Sequence, residues 1–119
     1  MKNEIFWILE LEFDNGGESE FHVLMTDMVS AVHQNEQGTL NYEWNVSADG
    51  KLCHIYERYA DSAAVLAHLA NFGEQFAERF LAILRPVRFV VYGSPSDAVK
   101  EALAAFHPMY MRTVDGFSR

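Results

Sequence analysis

The chain has 119 residues, half of them hydrophobic, with nine basic side chains against seventeen acidic ones and a formal charge of −8. That length and apolar content give one domain with its own core rather than a disordered segment, and scattered basic residues on an acidic chain argue against nucleic acid or an anionic membrane as partner. A single cysteine leaves no disulfide framework within the chain; Met1-Lys2-Asn3-Glu4 does not open a signal peptide, and no apolar run approaches the ~20 residues of a membrane helix, so the reading is a cytoplasmic protein.

Residues 5–13 alternate as a strand, with Trp7, Leu9, Leu11 and Phe13 on one face and Phe6, Ile8, Glu10 and Glu12 on the other. Asp14-Asn15-Gly16-Gly17 reads as a loop. Residues 18–37 carry Phe21, Leu24, Met25, Met28 and Val32 at helical spacing, and Gly38 is expected as the C′ residue that ends the helix. Residues 40–46 and 52–59 alternate on either side of Asp49-Gly50, the pair a two-residue type I′ hairpin prefers. With those two as the turn, Val46 faces Cys53, Trp44 faces Ile55, Tyr42 faces Glu57 and Leu40 faces Tyr59. These share one face, apolar except for a carboxylate beside a phenol. The other face carries Asn45 with His54, Glu43 with Tyr56, and Asn41 with Arg58.

A helix capped by Asp61 or Ser62 follows, with Val65, Leu69 and Phe72 as its stripe and Leu66 at one edge. His68 stands at the other edge, expected half-buried where helix meets sheet. Gly73 permits a break, and a second helical piece to about Leu84 turns Phe76, Phe80, Ile83 and Leu84 inward until Pro86 stops it. Residues 87–92 read as a buried strand. Ser94-Pro95-Ser96-Asp97 offers a cap, a proline at the first helical position and an acid at the third, for a helix with Val99, Ala102, Leu103 and Phe106 inward. Residues 109–114 can add a last strand.

The order strand-helix-strand-strand-helix-strand, then helix-strand, predicts an α+β fold over residues 1–119 as a single domain. It is a ferredoxin-like split βαβ antiparallel sheet with helices on one face and an extra C-terminal helix and strand. The helices should cover the face of Trp7, Ile55 and Phe89. The opposite face keeps Phe6, Ile8, Tyr56, Val90 and Tyr92 with no helix left to cover them. A second copy packed sheet against sheet is the economical cover, so a homodimer is expected, with the last strand placed to reach across.

Gly38-Thr39-Leu40-Asn41-Tyr42, Ile55-Tyr56-Glu57-Arg58-Tyr59, Asp61-Ser62-Ala63-Ala64 and His68 together resemble the core of the antibiotic biosynthesis monooxygenase domains. That pattern is a glycine and small residue before a Leu-x-Tyr strand, a strand ending Glu-x-aromatic, and a helix with an alanine pair and a histidine. The resemblance spans residues 5–92 in element order and implies a small dimeric α/β barrel. In members that oxygenate polycyclic phenols, the resemblance implies chemistry with no cofactor, neither metal nor flavin. Deprotonation makes the substrate electron-rich enough to meet dioxygen, while the protein supplies a dry pocket, a base and orientation. Some such members carry asparagine and tryptophan where this chain has Ile55 and Tyr59. The haem-degrading branch uses a helical tryptophan and a later histidine; here the helical position is His68 and no histidine follows until His107, which ranks that activity low.

Two residues stand out as a base. Glu57, buried on an apolar strand face, would have a raised pKa, and His68 carries an imidazole near its working range. Each also has a plain reading, Glu57 as a carboxylate bonded to Tyr42 or His68, His68 as a boundary residue over the core. Trp7, Trp44, Tyr59 and Phe72 can wall a flat aromatic ligand, or simply be core; Tyr42 can orient a phenolate, or satisfy Glu57. The five histidines show no metal-ligand spacing, so no metal is expected, and Cys53 reads as a small core residue. Glu10 and Glu12 share a face of the first strand in a solvated or dimer-rim role. The leading expectation is a cofactor-independent monooxygenase acting on a small quinol or phenolic aromatic molecule. The alternative is a non-catalytic dimeric ligand-binding or interaction module of the same fold. A third is isomerase or lyase chemistry on a small carbonyl compound, using the same base without dioxygen.

Overall fold

The computed structural model describes residues 3–13 and 18–119, so the loop expected at residues 14–17 lies outside the described residues. The chain runs β1 (Ile5–Phe13), α1 (Glu18–Asn35), β2 (Thr39–Val46), β3 (Leu52–Tyr59), α2 (Ser62–Gln75), α3 (Ala77–Ile83), β4 (Leu84–Gly93) and α4 (Asp97–Leu103). A 3-10 turn (Ala104–Phe106) and β5 (Met109–Met111) follow. The sheet order is β2-β3-β1-β4-β5. Its first four strands are antiparallel neighbours in the split βαβ arrangement, and β5 lies parallel to β4. The α+β, ferredoxin-like reading therefore holds. Among the described residues, no helix is long and apolar enough to cross a membrane.

The helices cover the face of Trp7, Ile55 and Phe89 and divide the core in two. One cluster joins Leu11, Phe21, Leu24, Met28 and Ile55 to Phe80 and Ile83; the other joins Ile5, Trp7, Tyr59 and Val65 to Phe89, Val99 and Leu103. Leu9 packs against both, so the seam between them runs along the middle of β1. On the uncovered face Phe6 stacks on Tyr92 with ring centroids 5.0 Å apart, and Ile8, Met109 and Met111 are exposed. Val90, also on that face, is buried.

The hairpin keeps the expected register from Val46↔Cys53 to Tyr42↔Glu57, but its turn is different. Ser47 N–H donates to the Leu52 carbonyl at 3.0 Å, which leaves a four-residue loop instead of two. Only Gly50 is left-handed (φ 75), so the turn is not type I′. Asp49 closes it with its side chain, accepting from Ser47 Oγ at 2.7 Å and Lys51 N–H at 3.0 Å. Adding one residue to each side preserves every partner. At the far end a register shift sets Thr39, not Leu40, opposite Tyr59 and turns Leu40 out to solvent. Val46, at the hairpin tip, is exposed as well.

Four other boundaries move for identifiable reasons. Helix α1 ends at Asn35, and Gly38 is not left-handed; a Cβ there would lie 2.6 Å from the Ala64 Cβ, so the glycine serves close approach of two elements. Helix α2 runs through Gly73, and the break falls at Phe76 (φ −129, ψ −16), whose ring packs on the first core cluster. Pro86 lies inside β4, beside a register shift against β1 where a missing N–H is tolerated. The cap of α4 is Ser96, whose Oγ accepts from Val99 N–H at 3.2 Å; Pro95 precedes the cap instead of following it, and Ala102 faces solvent. The last strand is three residues long and pairs with β4 of its own chain.

Candidate active site

Strand β3 alternates cleanly, burying Cys53, Ile55, Glu57 and Tyr59 under the helices. Asp61 caps α2 by accepting from Ala64 N–H at 2.9 Å, which sets the helix phase. Two turns on, His68 points at the sheet. It is buried, not half-buried as its edge position implied, because the turn joining α1 to β2 and the Tyr42 ring close over it.

His68 stands between two carboxylates. Its Nδ1 lies 2.8 Å from Glu36 Oε1 and its Nε2 lies 3.3 Å from Glu57 Oε1. The side chains of His68, Glu36 and Glu57 are each at most 7% exposed. The Tyr59 hydroxyl donates to Glu57 Oε1, so the phenol that satisfies Glu57 is Tyr59 and not Tyr42. Glu36 accepts further from Thr39 Oγ1 at 2.8 Å and Asn71 Nδ2 at 3.3 Å. The two carboxylates bridge opposite nitrogens of one ring and do not converge on a common point; among the described residues no group of His, Cys, Asp or Glu is set to hold a metal ion.

Burial pushes the Glu57 carboxyl above the usual carboxylate range, although the His68 charge and hydrogen bonds from Tyr59 and Trp7 pull the other way. Burial alone would depress His68, but the hydrogen bond to Glu36 and the charges of Glu57 and Glu36 outweigh it and raise the imidazole. For Glu36, burial works upward and is overcome by His68, Thr39 and Asn71, which leaves it lowered. Burial and the Glu57 charge push Tyr42 and Tyr59 upward, so both remain neutral donors. Burial lifts the Cys53 thiol to about 12, which keeps it an unreactive core residue.

The seam between the core clusters holds a cavity of about 40 Å³. Glu57, His68 and Tyr42 line it, with Trp7, Phe72, Leu9, Ile55 and Phe89 among the apolar walls. That is room for about one water. A second, polar cleft of about 390 Å³ lies between α1 and α2, lined by Asn35, Glu36, Asn71 and Gln75. Met28, His68 and Phe72 line both spaces. Glu36 thus belongs to the cleft alone, Glu57 to the cavity alone, and His68 to both.

Of the aromatic residues singled out from the sequence, Trp7, Tyr42 and Phe72 line the cavity. Tyr59 lies behind Glu57, with ring contacts to Trp7 and His68. Trp44 packs away from it among Phe21, Tyr42 and Phe80. Its Nε1 is buried without a partner among the described residues. Sequence reasoning missed Glu36, which looked like one more polar residue at a helix end. The available signal was Thr39 three residues on, a hydroxyl at the spacing of a closing turn.

The comparisons with known proteins agree with this architecture. The family model described as antibiotic biosynthesis monooxygenase matches residues 5–83. Among solved structures, MupZ from Pseudomonas fluorescens is similar at 25% identity over 100% of this chain and 91% of its own, with a TM-score of 0.84. SnoaB, a cofactor-independent oxygenase from Streptomyces nogalater, shares the fold at 14% identity, 79% and 95% coverage and a TM-score of 0.66. A candidate antibiotic biosynthesis monooxygenase from Caulobacter crescentus does so at 21% identity, 80% and 92% coverage and a TM-score of 0.64. No curated protein sequence matches the chain. The matched span holds β1 to α3, with the buried Glu57-Arg58-Tyr59 strand end and the helical His68, and the chain belongs to the antibiotic biosynthesis monooxygenase family.

Proposed function

We propose that this chain is a cofactor-independent monooxygenase that acts, as a homodimer, on a small quinol or phenolic aromatic compound. The observation that carries the reading is the pairing of Glu57 with His68 on the wall of an otherwise apolar cavity. Glu57 takes the ligand's hydroxyl proton, since its own proton affinity is raised. Passed on to Nε2, that proton makes a His68 imidazolium, which with the Tyr42 hydroxyl faces the phenolate and stabilises its charge. The electron-rich ring meets dioxygen directly. One oxygen atom is added to a ring carbon, which loses its single hydrogen as the hydroxyl loses its proton, and the other oxygen departs as water: RH₂ + O₂ → RO + H₂O. Trp7, Tyr42 and Phe72 contact the ring, while Tyr59 holds Glu57 from behind and Trp44 supports the Tyr42 wall. An aromatic ligand needs more than 40 Å³, so binding requires Phe72 and Met28, which part the cavity from the cleft, to swing aside.

The dimer rests on the uncovered face, where Phe6, Ile8, Tyr56, Tyr92, Met109 and Met111 form an apolar surface next to the ion pairs Arg58–Glu4 and Arg88–Glu10. Two such sheets packed together would make the α/β barrel. Oxygen uptake with a panel of hydroquinones and hydroxynaphthalenes, corrected for autoxidation, tests the reaction. Uptake above that baseline, lost in Glu57→Gln or His68→Ala variants that keep the wild-type far-UV spectrum, is expected. No uptake, or uptake unchanged in both variants, refutes it. One observation favours a second reading, proton-shuffling isomerase chemistry without dioxygen: a histidine between two carboxylates holds an acid and a base at once. Turnover that persists under strict anaerobiosis would select it.

A further inference from the structure

We infer that Glu36 is the positioning residue of this site, and that it forms, with His68, the path by which a proton taken up at Glu57 leaves through the cleft between α1 and α2. The inference rests on the reading of Glu57 and His68 as the acid–base pair.

Three observations carry it. The first is placement. Glu36 follows the last residue of α1; its N–H donates to the Val32 carbonyl at 3.0 Å, and its own carbonyl accepts from Thr39 N–H at 3.3 Å. That turn is pressed against the first turns of α2, at Gly38 on Ala64, and His68 lies one helical turn beyond Ala64. Gly38 and Ala64 therefore act as the mounting that holds a carboxylate against a histidine.

The second is the bonding of the carboxylate itself. Thr39 Oγ1 and His68 Nδ1 share Oε1, and Asn71 Nδ2 reaches Oε2. A carboxylate fixed at both oxygens fixes the ring it accepts from, so Nδ1 carries a proton and Nε2 is turned to Glu57. The groups that face His68 are Glu36 from the α1–β2 turn, Tyr42 from β2, and Glu57 and Tyr59 from β3; α2 itself adds the uncharged Asn71. Among the described residues, Glu36 is the one carboxylate on the Nδ1 side.

The third is topology. Glu57 lines the apolar cavity and not the cleft, Glu36 the polar cleft and not the cavity, and His68 lines both. The proton transfer balances in three steps. The Glu57 O–H bond breaks as a bond forms to the bare Nε2 of a His68 that carries its proton on Nδ1, and the imidazolium so made gives its Nδ1 proton to Glu36. Glu36 then releases that proton to water in the cleft, and a turn of the ring about its Cβ–Cγ bond brings the remaining N–H back to Glu36. Without this route, a protonated Glu57, buried on the cavity wall, could reset only by giving its proton to solvent that enters the cavity.

The test uses the imidazole directly. Histidine-labelled protein is titrated by nitrogen-15 NMR in the wild type, Glu36→Gln, Glu36→Asp and Thr39→Val. The account expects the proton affinity of His68 to fall at least tenfold in Glu36→Gln and to recover most of the way in Glu36→Asp. Thr39→Val, which removes one anchor of Glu36 and leaves the fold's core untouched, should shift it in the same direction by less. With a hydroquinone as probe, Glu36→Gln should lower kcat more than it alters KM and should displace the pH profile. An unchanged His68 titration in Glu36→Gln, or in Thr39→Val should Glu36→Gln fail to fold, overturns the positioning role. A shifted titration with kcat unaltered overturns the proton path. A shifted titration with no oxygen uptake in any protein, wild type included, leaves Glu36 as the residue that sets His68 and removes the oxygenase reading instead.

Discussion

Replacing Gly38 by alanine is a sharp test of how the fold mounts the site. A Cβ at residue 38 would sit 2.6 Å from the Ala64 Cβ and 3.6 Å from the Ala64 Cα. Carbon atoms in contact prefer about 3.5–4.0 Å, so the α1–β2 turn and α2 must separate by roughly 1 Å. Overpacking of this kind costs about 1–3 kcal/mol. Because Gly38 is not left-handed, alanine recovers about 0.4–1 kcal/mol by restricting the unfolded chain. The net expectation is a loss of about 1–2 kcal/mol, read by urea unfolding, with a fall of several degrees in Tm. Ala64→Gly alone should cost about 1 kcal/mol through helix propensity. The double variant should be more stable than the sum of the two by at least about 1 kcal/mol, since it removes the clash. A separation of 1 Å also lengthens the 2.8 Å contact between Glu36 and His68, so the His68 titration should move in Gly38→Ala and return in the double variant. A single variant within about 0.5 kcal/mol of wild type, or two strictly additive effects, would refute the close-approach account.

Two further expectations come from the same geometry. His68 is raised above its ordinary value of 6.5 in the folded chain, so it contributes stability that is complete below that pH and is lost as pH rises through the folded value. Glu57, also raised, contributes stability that is complete below its ordinary 4.5 and declines above it, while Glu36, lowered, contributes above 4.5 and loses it as pH falls. Unfolding free energy measured from pH 5 to 9 should therefore decline toward the alkaline side, and His68→Gln should flatten the part above 6.5; a wild-type curve that rises through that window contradicts the sign. For the open sheet face, sedimentation at micromolar concentration should give twice the chain mass, and Ile8→Glu should give a folded monomer; a monomeric wild type would remove the proposed barrel.

The sequence made the frame readable because its strands alternate strictly and its helices keep one apolar stripe each. Trp7, Leu9 and Leu11 on β1, and Cys53, Ile55, Glu57 and Tyr59 on β3, can only face the helices together. From Val46↔Cys53 to Asn41↔Arg58 the hairpin register survived a wrong turn type, because lengthening the loop symmetrically changes no pair; the expected Leu40 opposite Tyr59 was lost to the register shift between Thr39 and Asn41. What failed was decided by contacts between segments distant in sequence. Gly38 looked like a helix stop and is a contact with Ala64. Ser96, whose N–H donates to Ser62 Oγ at 3.0 Å, took the cap from Ser94, and α4 accordingly starts at the base of α2. Glu57 and His68 could be found because a carboxylate on an apolar face and a histidine beside an apolar stripe are each out of pattern. Glu36 could not, since a glutamate at a helix end is ordinary until the turn that follows it is seen folded onto His68.

The central claim is that the cavity holds a phenol as its anion at neutral pH, beside Glu57 and His68. The most direct measurement is the absorption spectrum of 2-naphthol bound under anaerobic conditions at pH 7, where the free compound is un-ionised. The account predicts the long-wavelength band of the naphtholate in the wild type, its loss in Glu57→Gln with binding retained, and its weakening in His68→Ala. Binding of the neutral phenol alone, with no ionised band in the wild type, would contradict it.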